Sequence, residues 1–183
     1  SGVFEIGCVA PYSIAKLDNV VMWLGRSPVG TGMVYRLVGY TPQRISTFSI
    51  EFHIQSMAVT SDAQAFTYQQ DGHSFYVLTF PSGGRTFVYD TSTSLWHERA
   101  NFYQDVYSRW EAQECAFFAG KQLTCDYSDG VIYSINLGVH TYGDTPIKWL
   151  RSWRSPDSDM KRVAHHKLTI EAEVGVGDFT TLN

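Results

Sequence analysis

The sequence predicts an all-β protein in which four-stranded antiparallel sheets repeat along the chain. Short apolar or alternating runs are separated by turns rich in Gly, Pro, Asp, Asn and Ser. These runs occur in groups of four, and a tyrosine recurs in the third run of each group. Together these features favour an arc of β-propeller blades, with a β-sandwich as the structural alternative.

The first group begins near the N-terminus, and two further groups follow it in the same order. Polar turns such as Asp71-Gly72 and Ser128-Asp129-Gly130 separate the runs within each group. We predict strands at 7–15, 19–25, 33–38 and 43–47, then at 65–70, 74–80, 86–89 and 95–99, and finally at 114–119, 122–126, 131–135 and 147–151.

Several of these runs are apolar throughout, which is typical of inner strands that are buried on both faces. This applies to 19–25, 33–38, 74–80, 86–89 and 130–135. A sheet that is apolar on both faces can be covered only by neighbouring sheets. We therefore expect the sheets to stack, because one of them alone would not be stable.

Alignment of the third strands places Tyr35, Tyr89 and Tyr133 at equivalent positions, each after a β-branched residue. Their spacing of about 50 residues matches a propeller blade. Propellers close with four to eight blades, whereas this chain holds three. We expect blades at about 7–48, 62–99 and 114–151 within residues 1–162, and the first strand of a further blade or domain within 163–183.

Two segments between the groups fit neither pattern clearly. Residues 49–57 have apolar side chains spaced for either a strand or a helical turn, and residues 100–109 are similarly ambiguous. Both are predicted to be connectors.

The composition is that of a folded, mildly acidic protein. It combines 14 Lys and Arg with 18 Asp and Glu, for a net charge of −4, and 15% of its residues are aromatic. Proteins that bind nucleic acid through phosphate contacts are usually basic, so sequence-specific nucleic-acid binding is not expected. Apolar runs fall well short of the roughly 20 residues that span a membrane, and no membrane association is expected.

Cysteine usage agrees with folding in a reducing compartment. Cys8, Cys115 and Cys125 show no metal-binding or redox spacing. We predict that they are unbridged and buried as small apolar side chains.

Patterns that carry catalysis are missing. The sequence has no Gly-x-Ser-x-Gly motif and no glycine-rich turn that opens a helix. The adjacent pair His165 and His166 would point to opposite faces of a strand and could not hold one ion, and Glu171 with Glu173 is expected to form a solvated strand face. We predict no catalytic residues, no metal and no cofactor.

Several segments resemble the packaged-DNA stabilisation, or tail-hub, proteins of short-tailed bacteriophages. The resemblance covers nearly the whole chain and keeps its order. It rests on residues 7–19, 23–25, 34–36, 72–81, 87–90, 96–99, 166–171 and 175–177.

This resemblance implies a structural protein of the virion tail, made in the host cytoplasm. It would be one subunit of a multi-copy ring, expected to be hexameric, that extends the channel below the portal and its adaptor. Such a ring plugs the channel after DNA packaging and anchors the tail needle and tailspikes. The family contributes no enzymatic residues. Its members are longer than this chain, so this chain is expected to be a central or shortened piece of such a protein.

Aromatic side chains in the connector at 101–110 are candidate interface anchors. They are Tyr103, Tyr107 and Trp110, and the alternative is that they pack in the core. Two other functions remain open from the sequence, a propeller that binds or hydrolyses carbohydrate and a general protein-interaction propeller.

Overall fold

Antiparallel strands dominate the computed structural model of the chain, which describes residues 5–28, 30–152, 167 and 169. The chain divides into two units, Ser1–Leu137 and Gly138–Asn183. The further strand expected within 163–183 lies outside the described residues, apart from Lys167 and Thr169, which are exposed and belong to no element. The all-β prediction is confirmed.

The first sheet is built on a long hairpin of two apolar strands. β1 and β2 both pair with β3, so they act as one first strand that a short 3-10 helix interrupts at Pro11–Ser13. β4 and β5 follow in order on the other side of β3. The bounds are β1 Gly7–Cys8, β2 Ala15–Leu17, β3 Val20–Ser27, β4 Gly30–Val38 and β5 Thr41–Arg44.

The second sheet has five strands in chain order, one more than predicted. The segment 100–109, expected to be a connector, instead extends the fourth strand and adds a fifth, paired from Val106↔Tyr103 to Arg109↔Ala100. The bounds are β6 Gln64–Gln70, β7 His73–Phe80, β8 Arg85–Asp90, β9 Leu95–Tyr103 and β10 Val106–Arg109.

The third sheet has three strands among the described residues, β11 Ala112–Phe118, β12 Lys121–Asp126 and β13 Ile132–Ile135. The fourth strand predicted at 147–151 is wrong, because these residues form no strand. Among its described residues, the second unit contributes a small hairpin, β14 Thr141–Tyr142 with β15 Thr145–Pro146.

The three sheets of the first unit stack face to face. One core cluster joins Met22, Leu24 and Val34 of the first sheet to Tyr76 and Leu78 of the second. A second cluster joins the opposite face of the second sheet to the third sheet, through Phe66, Val77, Val88 and Ala112. Successive residues of β7 therefore face different neighbours, as strand geometry requires, and the second sheet is covered on both faces as predicted.

The three tyrosines occupy equivalent positions on the third strands β4, β8 and β13. Tyr89 faces the first sheet. Tyr133 lies two residues before Ile135, which packs towards the second sheet, so it shares that face. Tyr35 packs with Trp23 on the face of the first sheet that points away from the second. Each tyrosine therefore points to the preceding side of its sheet, as the predicted alignment of the third strands requires.

Tight turns join the first and second strands of each of the three sheets in the first unit. Both residues of each turn have positive φ, namely Asp18 and Asn19, then Asp71 and Gly72, then Ala119 and Gly120. Two consecutive positive-φ residues match the twist of antiparallel strands. The repeat therefore extends to the turns.

The ambiguous segment 49–57 contains the helix α1, Phe48–Gln55. Ile50 and Ile54 are four residues apart and both enter the core between the first two sheets. The third buried residue, Glu51, accepts hydrogen bonds from Arg44 and Ser46, which offsets the cost of burying a carboxylate.

The cysteines are unbridged, as predicted, but they are not all buried. Cys8 and Cys125 are exposed, and Cys115 is half-buried. Their strands alternate between covered and open faces, and a sequence pattern does not show which of these faces a neighbouring sheet covers.

A first prediction tests whether the second sheet is covered on both faces. Val77 and Leu78 are adjacent in β7, fully buried and directed to opposite junctions. We expect Leu78→Ala to lower the free energy of unfolding by about 2–5 kcal/mol and Val77→Ala by about 1–2 kcal/mol. Denaturant unfolding measures both, with the exposed Val106→Ala as the control, within about 0.5 kcal/mol of wild type. A near-zero effect at either buried site would contradict the stack.

A second prediction concerns the polar contact that fixes the 3-10 helix to the second sheet. The buried Tyr76 hydroxyl donates to the Ser13 carbonyl at 2.7 Å, and the Leu24 amide donates to the Ser13 hydroxyl at 2.9 Å. Tyr76→Phe leaves a buried carbonyl without its donor, so we expect a loss of about 1–3 kcal/mol. Thermal unfolding of Tyr76→Phe is compared with that of Tyr12→Phe, a control at an exposed tyrosine. Equal stability of the two variants would show that the Tyr76 hydrogen bond does not stabilise the fold.

Candidate assembly surface

The outer face of the third sheet carries large apolar side chains that are exposed to solvent. The strand register places the side chains of Cys115, Thr124 and Tyr133 on the face towards the second sheet. The residues before and after each of them in the same strand therefore point away from the second sheet. Phe118 is 70% exposed and Ile132 is 68% exposed on this outward side. We call it the outer face, and its members are Glu114, Ala116, Phe118, Lys121, Leu123, Cys125, Ile132 and Ser134.

The corresponding faces of the other two sheets are buried. Met22, Leu24 and Val34 of the first sheet have no exposed surface, and neither do Val77 and Val88 of the second. Each of these faces packs against the following sheet. The outer face of the third sheet is therefore equivalent in position to two buried junctions, yet it remains uncovered.

The hairpin of β9 and β10 forms a second exposed surface. Its turn residues Gln104 and Asp105 both have positive φ, and the Phe102 and Tyr107 rings lie 4.7 Å apart across the strands. Tyr103 is 67% exposed and Tyr107 is 50% exposed.

The third aromatic candidate, Trp110, lies elsewhere. It is half-buried and packs in the cluster between the second and third sheets, with its ring 6.1 Å from Phe66. Its backbone amide donates to the Thr86 hydroxyl at 3.1 Å. The structure therefore places Tyr103 and Tyr107 on one hairpin, with their side chains on opposite faces of it because Tyr103 pairs with Val106 and Tyr107 with Phe102. Trp110 lies in the adjoining core.

The first strands of the three sheets meet along an open concavity of about 510 Å³. Three of its polar side chains form hydrogen bonds between sheets. Thr67 donates to the Lys16 carbonyl at 2.9 Å, and Gln69 donates to the Asp18 carboxylate at 2.7 Å. Gln122 donates to the Gln69 carbonyl at 2.8 Å. These bonds tie the edge strands β2 and β6 and the central strand β12 together, so the concavity serves the packing of the sheets.

The concavity offers no activated nucleophile among the residues that line it. Burial, with smaller contributions from the neighbouring Glu114 and Cys125, raises the pKa of the Cys115 thiol to about 11. The thiol is therefore protonated at neutral pH, and a thiol is a poor nucleophile compared with a thiolate.

Buried carboxylates in the first unit fix turns. Burial by itself raises the pKa of Asp90, but hydrogen bonds from Thr93, His73 and Ser92 outweigh this effect and hold the pKa below its ordinary value. The His73 contact is 2.8 Å. These bonds anchor the turn between β8 and β9.

An arginine that the sequence analysis did not single out lies at the outer part of the second sheet. The Arg99 guanidinium stands over three aromatic rings, 5.5 Å from Tyr68, 5.3 Å from Phe75 and 4.8 Å from Trp110. These rings come from β6, β7 and the segment after β10, so only the fold brings them together. Such cation–π contacts hold a guanidinium in a defined orientation.

Within the described part of the chain, no group of three or more His, Cys, Asp or Glu side chains is placed to hold a metal ion. The same residues include no helix long and apolar enough to cross a membrane. His165, His166, Glu171 and Glu173 lie outside the described residues.

Comparison with known families agrees with the architecture. A family model described as Bacteriophage P22 Gp10, beta-propeller, matches residues 1–139, which is more than half of the chain and nearly coincides with the unit Ser1–Leu137. No curated protein matches the sequence. The chain therefore belongs to this family of bacteriophage structural proteins, which stabilise packaged DNA.

Proposed function

We propose that this protein is a tail-hub component of a short-tailed bacteriophage. In this role it extends the channel below the portal and adaptor, helps to close that channel after packaging, and anchors other tail proteins. Family membership supports a structural role in the virion. The more specific role as a tail hub is inferred from two exposed surfaces of the first unit, the outer face and the β9–β10 hairpin.

The observation that carries the proposal is the exposed outer face. Phe118, Leu123 and Ile132 occupy positions whose equivalents in the other sheets are buried by a following sheet. Covering such a face is favourable because roughly 25 cal/mol is gained for each Å² of apolar surface removed from water. In the assembled tail, a further sheet covers the outer face. In this arrangement residues 1–162 form an arc of blades, and residues 163–183 begin a further blade or domain.

The β9–β10 hairpin supplies the contact between subunits or with other tail proteins. Exposed tyrosines are frequent anchors in protein interfaces, and Tyr103 and Tyr107 lie on neighbouring strands. A ring requires head-to-tail contacts between two different patches of the same subunit. The hairpin provides one of these patches, and Trp110 supports it from the core beneath.

The negative net charge suits a protein that surrounds a DNA channel better than a protein that binds DNA directly. A net charge of −4 disfavours close contact with phosphates. We therefore expect the protein to hold DNA in the head by closing the exit, without contacts to particular bases.

A third prediction tests the outer face. Because Phe118 and Ile132 are exposed in the isolated chain, Phe118→Glu and Ile132→Glu should leave its unfolding temperature close to that of wild type. Both should prevent incorporation into tails, since each buries a charge in an apolar junction. Incorporation into tails is measured in extracts that lack the wild-type protein. The control is Lys121→Glu, which changes a residue on the same face that is already charged in the wild type. Normal incorporation of both glutamate variants would refute the assembly role of this face.

A fourth prediction tests the hairpin. Tyr103→Ala with Tyr107→Ala should preserve the fold and weaken association with tail components by about 10-fold or more, because an interface anchor contributes roughly 1–2 kcal/mol. Sedimentation analysis measures association, and DNA release from completed particles measures function. Tyr12→Ala, at an exposed tyrosine on the 3-10 helix, is the matched control. If the double variant retains DNA and associates as wild type does, the hairpin is not an anchor.

A further inference from the structure

The β9–β10 hairpin extends past the strand that precedes it. β9 pairs with β8 from Asp90↔Leu95 to Thr86↔Arg99. In the described part of the chain, the β9 residues from 100 to 103 pair with β10 alone. A two-stranded hairpin is only marginally stable by itself. The direction in which this hairpin projects therefore depends on contacts near its base.

One arginine lies at the base of each strand of the hairpin. Arg99 is the last residue of β9 that pairs with β8, and Arg109 is the last residue of β10. Arg109 pairs with Ala100, so Arg99 and Trp110 occupy the next positions along the two strands. The base of the hairpin is thus bounded by two cations and a large ring.

Arg99 connects the two strands of the hairpin to the second sheet. Its guanidinium lies 4.8 Å from the ring centre of Trp110, the residue that directly follows β10. The same guanidinium lies 5.5 Å from the ring of Tyr68 in β6 and 5.3 Å from that of Phe75 in β7. Tyr68 is only 3% exposed, so these rings provide a fixed support inside the second sheet.

Arg109 makes an equivalent contact with the third sheet. Its guanidinium lies 3.6 Å from the ring centre of Tyr127, which directly follows β12. The Tyr127 amide donates to the Glu111 carbonyl at 3.2 Å, and this bond holds Tyr127 beside the point where the chain leaves the hairpin. The second strand of the hairpin therefore rests on the third sheet.

Neither guanidinium has a carboxylate partner among the described residues, whereas Arg44 pairs with Glu51 and Arg85 with Glu98. The one polar contact of Arg99 runs from Nε to the His97 Nε2 atom at 3.3 Å.

Partial burial, followed by the charge of Arg99, lowers the pKa of His97 to about 4. His97 is therefore neutral at pH 7 and can accept this bond. No carboxylate competes with the ring faces for the positive charge, which is the condition under which cation–π contacts are strong.

We propose that Arg99 and Arg109 are positioning residues, which hold the base of the hairpin through cation–π contacts and set the direction in which Tyr103 meets its partner in the tail. We call these contacts the base clamp. A hairpin that is ordered before binding avoids the entropic cost of ordering during association. This inference rests on the proposed anchor role of the hairpin and identifies what holds the anchor in place.

Amide hydrogen exchange of the isolated full chain tests the base clamp. Arg99→Met keeps the apolar stem and removes the charge, so we expect the β10 amides to exchange about three- to tenfold faster. The amides of β7 should exchange at the wild-type rate. Arg99→Lys should retain part of the protection because it keeps a cation. The matched control is Arg36→Met, since Arg36 donates to Gln43 on the first sheet.

Two further variants separate the ring contacts from general stability. Arg109→Met, at the other strand, should raise β10 exchange by about two- to fivefold, because its contact is with the more exposed Tyr127. Trp110→Leu should resemble Arg99→Met, and the two changes together should have less effect than the product of their separate effects. The Arg109 variant keeps the test decisive if Trp110→Leu does not fold.

Association with tail components is then measured by sedimentation, with the Tyr103→Ala and Tyr107→Ala double variant for comparison. Arg99→Met should weaken association, although it leaves both tyrosines in place. Unchanged β10 exchange would overturn the base clamp, and so would equally faster exchange throughout β7, which indicates general destabilisation. Faster β10 exchange with wild-type association would overturn the positioning role. Exchange is measured without tail components, so failure of the clamp is distinguishable from failure of the anchor.

Discussion

A β-sheet that is apolar on both faces must be covered on both faces, and the rest of the first unit depends on this constraint. Met22 and Leu24 of β3 meet Tyr76 and Leu78 of β7, while Val77 between them turns to the third sheet. Neither face of the second sheet could remain exposed without a large hydrophobic cost. Each sheet of the first unit is therefore stable only as part of the stack, and in the proposed role the outer face of the third sheet is covered on assembly.

The need to cover both faces of each sheet also explains where polar side chains form hydrogen bonds between sheets. The first strands are sheet edges, and edges left open invite pairing with other chains. Thr67 of β6 donates to the Lys16 carbonyl of β2, and Gln122 of the central strand β12 donates to the Gln69 carbonyl of β6. These bonds fix the edges β2 and β6 within the stack. Exposed apolar side chains remain at the outer face and at the β9–β10 hairpin, among other places.

Strand period and turn composition were sufficient to predict the sheets, their order and the equivalent tyrosines. They were insufficient for the fifth strand, because the Gln104-Asp105 turn has positive φ at both residues without the glycine that usually marks such a turn. They also predicted a strand at 147–151, where the chain had already entered a second unit. Burial of Trp110 and exposure of Tyr103 depend on which sheet lies opposite, which composition cannot show, and Arg99 gains its aromatic neighbours only on folding.

Thiol reactivity offers the most direct test of the central claim, because Cys125 lies on the outer face and is exposed. A small maleimide should modify Cys125 rapidly in the isolated chain, and at least about 10-fold more slowly in the assembled tail, where a further sheet excludes solvent. The exposed Cys8, on the first sheet, reports general access, and mass spectrometry of peptides separates the two sites. Protection of Cys125 in the particle is the result that stacking predicts, and equal labelling of Cys125 in both states would contradict it.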